Sequence, residues 1–223
     1  MKKLSENAKR TKFEEERARQ ILCHFYPEKY LKSELNDSPD IINNNLNIGV
    51  EVTSAMKENI NENISRVSSI VGKYENELTK IDLKNIKTGN VIPYKMPNNK
   101  LTAATVFWGN SFDFKKIYNK KINKLNSSHY KKFEENNLFV FAWMADSDEI
   151  DEGISFFLNI DEMKAYKFKY IYIFSGDNLY TINLNLKYYE FEKIDSKDLI
   201  KISNSSFEKI YGMTKEEHRE MHK

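Results

Sequence analysis

A chain of 223 residues with 40% apolar and 13% aromatic residues is long enough to bury a core and too apolar to remain unfolded. Its 35 basic and 33 acidic residues leave a formal net charge of +2, which excludes a histone-like polycation but not a local basic patch. The single cysteine, Cys23, excludes an intrachain disulfide, and with no apolar leader after Met1-Lys2-Lys3 and no membrane-length apolar run the expectation is a soluble, cytoplasmic protein.

In chain order, the pattern predicts a helix from about Asn7 to Tyr26, ended by Pro27. Strands follow at Ser38–Asn43 and Asn47–Ser54. Ile60, Ile64, Val67, Ile70, Val71 and Tyr74 recur at helical spacing and predict a second helix from about Lys57 to Lys80. Residues Asp82 to Lys100, with Gly89, Pro93 and Pro97, read as a long loop. A strand is predicted at Leu101–Trp108, a helix at Phe112–Leu125 and a buried strand at Leu138–Met144. The acidic stretch Asp146–Glu152 reads as a loop. Lys169 to Leu184 predicts a hairpin turning at Ser175-Gly176-Asp177-Asn178. Tyr188–Glu192 adds a strand, and the charged tail Thr214–Lys223 reads as a solvated helix or frayed end. The expected organisation is a core over residues 1–145 with a helical insertion at about 57–100, and a hairpin and tail over 146–223 extending the same domain.

Two acids stand out in this frame. Asp40 follows Pro39, and Glu51 interrupts the apolar run Ile48-Gly49-Val50, with ten residues between the two. Burying an unpaired charge is costly, so such acids are paired, hydrogen-bonded or metal-bound. On adjacent strands they can point at one spot, where water and a phosphate oxygen would complete a Mg²⁺ shell. Exposed acids on an alternating strand would show the same spacing.

Helical wheels at about 100° per residue add two more residues. Phe13, Ala18, Ile21, Leu22 and Phe25 form the apolar stripe of the first helix, with Glu14 near its centre and Glu15 and Glu16 off it. Phe114, Ile117, Tyr118, Ile122 and Leu125 form the stripe of the later helix; Lys121 falls inside it, while Lys116, Lys120 and Lys124 face away. A core-facing Glu14 and Lys121 either pair with one another, or the lysine snorkels, or both gather beside Asp40 and Glu51. Lys115 to Lys132 hold seven lysines and no acid, interleaved with Tyr118, His129 and Tyr130. That composition suits a nucleic-acid backbone, with Lys116, Lys120, Lys124, Lys131 and Lys132 as contacts, or a solvated helix face. His218 and His222 have no further ligand residues around them, and Cys23 beside His24 reads as a core thiol.

Pro39-Asp40 followed by Ile48-Gly49-Val50-Glu51-Val52-Thr53, between an acidic helix and a Lys-rich helix, resembles the PD-(D/E)xK nuclease superfamily. The likeness runs from about Asn7 to Leu186 in element order. It implies a restriction-endonuclease-like α/β fold: an αβββαβ core, a central mixed sheet flanked by helices, an inserted helix and a C-terminal hairpin. It also implies Mg²⁺ (or Mn²⁺) on Asp40 and Glu51, the Val52 carbonyl as a further ligand, and Glu14 as auxiliary acid. The family pattern wants a lysine two residues after the glutamate, where this chain has Thr53. Some members carry that lysine on the helix, which makes Lys121 the candidate, with Lys124 and Lys57 behind it. The implied activity is Mg²⁺-dependent hydrolysis of phosphodiester bonds, DNA first, with nucleic acid as partner, a homodimer allowed and no membrane. The alternatives are a catalytically degenerate nucleic-acid-binding module and a non-enzymatic interaction protein.

Overall fold

The first helix, α1 (Glu6–Phe25), opens where the Ser5 side chain accepts the Ala8 amide and Glu6 lies in the electropositive first turn. Pro27 does end it, by becoming the first residue of a short helix, α2 (Pro27–Tyr30), where its missing N–H is harmless. Then come β1 (Glu34–Leu35), β2 (Ile41–Asn43), β3 (Ile48–Ser54), α3 (Glu58–Ile70), α4 (Lys80–Lys87), β4 (Ile92–Lys95) and β5 (Leu101–Ala104). They are followed by α5 (Phe114–Leu125), β6 (Glu135–Phe141), α6 (Ser147–Leu158), β7 (Tyr170–Ser175), β8 (Asn178–Asn183), β9 (Tyr188–Lys193), α7 (Ser196–Tyr211) and α8 (Lys215–Met221). The computed structural model describes residues 5–88, 91–104, 111–161 and 163–221. Gly89, residues 105–108 of the expected strand and His222 lie outside them.

Two units divide the chain: Met1–Ala55 with Phe114–Lys223, and Met56–Asp113. Among the described residues, the first unit is built on one mixed sheet of seven strands in the order β1-β2-β3-β6-β7-β8-β9. β1, β2 and β3 form an antiparallel meander. β6 then lies parallel to β3, and β7 parallel to β6. The β7–β8 hairpin and β9 close the sheet in antiparallel fashion, with Gly176 supplying the left-handed residue of the turn at φ +60°. The architecture is α/β, a mixed sheet flanked by helices.

Alternation along the strands assigns the two faces. Val50, Val52, Phe139, Phe141, Tyr172 and Phe174 share one core with Ala18, Ile21 and Leu22 of α1 and Ile202 of α7. Residues between them, Glu51 included, point to the other face, toward α5. There Tyr118 and Phe114 meet Phe157 of α6 edge to face, each pair 5.9 Å apart. Gly153 is required at this crossing, since a Cβ would stand 2.8 Å from the Phe114 ring.

The second unit replaces the expected long helix and long loop with smaller pieces. α3 stops at Ile70, and Gly72 adopts φ +85° just beyond it. Asp82 and Thr79 form a capping box that starts α4 at the end of the predicted helix and carries it into the predicted loop as far as Lys87. Proline is tolerated in β4 because the strand belongs to a two-stranded hairpin with β5. Ile70, Val91 and Leu101 form the small core of this unit.

Two further expectations are corrected in the first unit. Asp146–Glu152 is no loop: Asp146 caps α6, Glu149 completes the capping box, and the acids sit in the electropositive first turn. Residues 196–211, to which the sequence reading gave no element, form the long helix α7. It starts on the Asp195 cap and stops at Gly212, in the left-handed conformation at φ +71°. No described helix is long and apolar enough to cross a membrane.

Candidate functional site on the third strand

Gly49 sets up the site. A side chain there would lie 2.7 Å from both the Pro39 ring and the Phe133 ring, so only glycine lets the Pro39-Asp40 segment press against β3. Asn36 holds the loop from the other end, its backbone N–H donating to the Asp40 carbonyl at 2.9 Å and its side chain to the Pro39 carbonyl at 3.1 Å. Pairing of β2 with β3 begins at Ile41 opposite Val50, which leaves the Val52 amide beyond the ladder. The Asp40 carboxylate takes that amide at 2.7 Å and substitutes for the missing strand partner.

Glu51 is wholly buried, and α5 supplies its counter-charges. The Lys121 ammonium donates to one Glu51 oxygen at 2.7 Å and to the Val52 carbonyl at 2.9 Å. Lys124 donates to both Glu51 oxygens, at 2.8 and 2.9 Å. Residues 121 and 124 are one helical turn apart, so both reach the same carboxylate. The Tyr130 ring lies 5.6 Å from the Lys124 ammonium, close enough for its phenol to feel the Glu51 charge. Burial and the Glu51 charge push the Tyr130 phenol well up, so it stays protonated.

The electrostatics of the two acids run in opposite directions. Burial pushes the Glu51 carboxyl up, but Lys121 and Lys124 outweigh it and hold it below its ordinary value. Burial and the neighbouring Glu51 charge push Asp40 up, against the pull of Lys121, the Val52 amide and Lys124. Negative charge at Asp40 is therefore less fully compensated than at Glu51. Glu15 of α1 is near enough to Asp40 for the two charges to repel. Burial raises it, the charge of Asp40 adds to that, and Lys12 opposes with an ion pair at 2.9 Å. Lys12 also donates to the Asn36 carbonyl at 3.0 Å, clipping α1 to the loop that carries Asp40.

The structure thus gathers Asp40, Glu51, Val52 and Lys121 at one spot, and sends other candidates elsewhere. Glu14 is not among them: it is half-buried, and burial pushes its carboxyl up against the pull of Arg17 and Arg10, the Arg17 guanidinium stacking 3.9 Å from the Trp143 ring. The acids of α1 that are buried are Glu15 and Glu16. The wheel missed Glu15 and Glu16 because α1 is covered twice, by the sheet and by α7, and Lys209 of α7 pairs with Glu16 at 2.9 Å. Lys124 is likewise misassigned by the wheel, since it belongs to Glu51 rather than to the solvated face. Lys116 and Lys120 are exposed on α5. Lys131 donates to Asn44 at 3.0 Å and Lys132 to the Ser127 carbonyl. Lys57 belongs to the second unit. Sequence reasoning passed over Glu15, Lys12 and Tyr130 as site residues. Glu15 carried a usable signal, its position one residue along the helix from an acid already singled out.

No group of three or more His, Cys, Asp or Glu side chains among the described residues is arranged to hold a metal ion. The donor set is two carboxylates and a main-chain carbonyl, oxygens that already attract cationic groups or an amide. Such a set fits a hard divalent cation that completes its shell with water and substrate oxygens. Compared with protein-family models, with curated proteins and with solved structures, the chain matches none.

Proposed function

We propose that this protein is a Mg²⁺-dependent nuclease of the PD-(D/E)xK type, hydrolysing phosphodiester bonds, DNA first. One observation carries the reading: Asp40, Glu51, the Val52 carbonyl and the Lys121 ammonium converge from a loop, a strand and a helix onto one side of β3. The order α1, β1, β2, β3, α5, β6, with an antiparallel meander and then a parallel strand beside β3, supports it as the αβββαβ arrangement expected of such a core. Thr53 leaves the usual lysine position without a cation, and Lys121 arrives from α5 to supply one.

In this reading Asp40, Glu51 and the Val52 carbonyl would hold Mg²⁺. A bound Mg²⁺ supplies Lewis-acid polarisation of the phosphoryl oxygen and lowers the pKa of water. Lys121 offsets the charge that builds on the phosphate as the bond to the leaving oxygen lengthens. The exposed Lys116 and Lys120 meet the backbone away from the scissile bond.

The test is incubation with Mg²⁺ or Mn²⁺ on supercoiled DNA, linear DNA and RNA. Cleavage that a chelator stops and Glu51→Gln abolishes supports the reading. A second reading, a nuclease-like binding module without turnover, is favoured by the saturation of both Glu51 oxygens by lysines. Salt-sensitive binding without cleavage under any of these conditions would establish it instead.

A further inference from the structure

Both oxygens of Glu51 already carry ammonium groups. Lys121 takes Oε2 and the Val52 carbonyl, two of the three oxygens proposed for the cation, and Lys124 takes Oε1 and Oε2. Glu51 is fully buried, so no part of the carboxylate faces water. A divalent cation seated about 2.1 Å from those oxygens would have to share them with an ammonium at 2.7–2.9 Å and would be repelled by it.

The charges around the site give the same answer. At the cation seat itself Asp40 and Glu51 contribute two negative charges, and Lys121 and Lys124 contribute two positive ones. These four groups sum to zero without a metal. Adding a divalent cation alone leaves an excess of two positive charges in a buried setting. Adding a phosphodiester with it removes part of that excess and offers the lysines a new anion to hold. Lys124 is the mobile partner, its side chain 38% exposed against 14% for Lys121.

Resting on the nuclease reading, we infer that the site is closed at rest by its own lysines, which occupy the cation seat until a nucleic-acid phosphate draws them away. Nucleic acid and metal then bind with strong mutual cooperativity, and metal alone binds weakly. Because linkage is reciprocal, each ligand raises the affinity for the other by the same factor. The device keeps the hydrolytic ion out of the protein in the absence of its polymer.

Calorimetric titration of the full chain with Mn²⁺ alone tests this without reference to cleavage. Wild type is expected to bind Mn²⁺ at least tenfold more tightly in the presence of a phosphorothioate-linked DNA duplex than without it. Lys124→Met and Lys121→Met are expected to bind Mn²⁺ at least tenfold more tightly than wild type with no DNA present. Lys115→Met, which removes the same charge from the exposed face of α5, is expected to leave Mn²⁺ affinity unchanged. The DNA arm uses wild-type protein, so it stands even if a lysine variant folds poorly. Equal Mn²⁺ affinity in wild type, both site variants and the DNA-bound form overturns the closed site while leaving the nuclease reading intact. Mn²⁺ binding by none of them overturns both.

Discussion

Glu51 is held by two lysines of unequal burial, and the three ways of dismantling the arrangement have different expected costs. Glu51→Gln keeps the shape of the side chain but leaves two ammonium groups without their shared anion. Lys124 is exposed enough to turn into water; Lys121 is not, and the Val52 carbonyl ties it down. Leaving one buried charge unpaired costs about 3–5 kcal/mol, and the freedom of Lys124 places this case near 3 kcal/mol. In Lys121→Met, Glu51 keeps Lys124 on both oxygens, and the methionine keeps much of the apolar stem. The loss is one charge-assisted hydrogen bond and one bond to a carbonyl, about 2 kcal/mol. Lys124→Met removes a partner open to solvent and should cost about 1 kcal/mol or less. Urea unfolding at pH 7 in a chelator, followed by circular dichroism, ranks the three. If Lys124→Met cost as much as Lys121→Met, or if Glu51→Gln cost less than about 1 kcal/mol, the assignment of Lys121 as the inner partner would be refuted.

The same contacts give stability a pH slope. Burial raises Glu51, Lys121 and Lys124 outweigh it, and the folded-state value lies below the ordinary glutamate value. A depressed carboxyl contributes stability that is complete above its unfolded pKa and is lost as pH falls through its folded pKa. Removing Lys121 takes away one of the two opposing charges, so acid unfolding of Lys121→Met should begin at higher pH than in wild type.

Asp40 carries the opposite sign. Burial and the Glu51 charge raise it, so its contribution is present at low pH and is lost as pH rises through the folded-state value. Asp40→Asn keeps an oxygen for the Val52 amide, and in chelator at pH 7 its urea midpoint should rise while cleavage disappears; a lower midpoint would contradict this. Replacing Lys116 and Lys120 with Glu should lower the slope of log affinity against log salt by about 2, near one unit per phosphate contact; an unchanged slope would show that they only solvate α5. Gly49→Ala drives a methyl into Pro39 and Phe133 and should cost about 1–3 kcal/mol in unfolding measurements while displacing Asp40. A neutral result would mean that the Pro39 loop yields without strain.

How much of this could be read from the chain depends on how many neighbours each residue has. Glu51 and the turn of the β7–β8 hairpin were legible because a strand has two sides and local chemistry decides between them, whereas Asp40 sits on a loop, the expected strand from Ser38 starting only at Ile41. Lys121 was legible for a similar reason: α5 buries a single stripe, and a cation inside that stripe had to find an anion on the sheet. The wheel for α1 assumed one cover as well, but α7 provides a second. Glu15 and Glu16, placed off the stripe, are therefore fully buried beside the half-buried Glu14. α7 itself went unread although Asp195 and Gly212 mark its two ends, so the miss at Glu15 and Glu16 follows from the miss at residues 196–211. Lys124 failed differently. Its Cα does lie away from the stripe, and only the long side chain, passing over the Tyr130 ring, brings the ammonium back to Glu51. A helical wheel fixes where a side chain starts, which settles the matter for leucine and not for lysine. An acid in a core can be read only when every cover is known, and a lysine can be read only after the acid it reaches for has been placed.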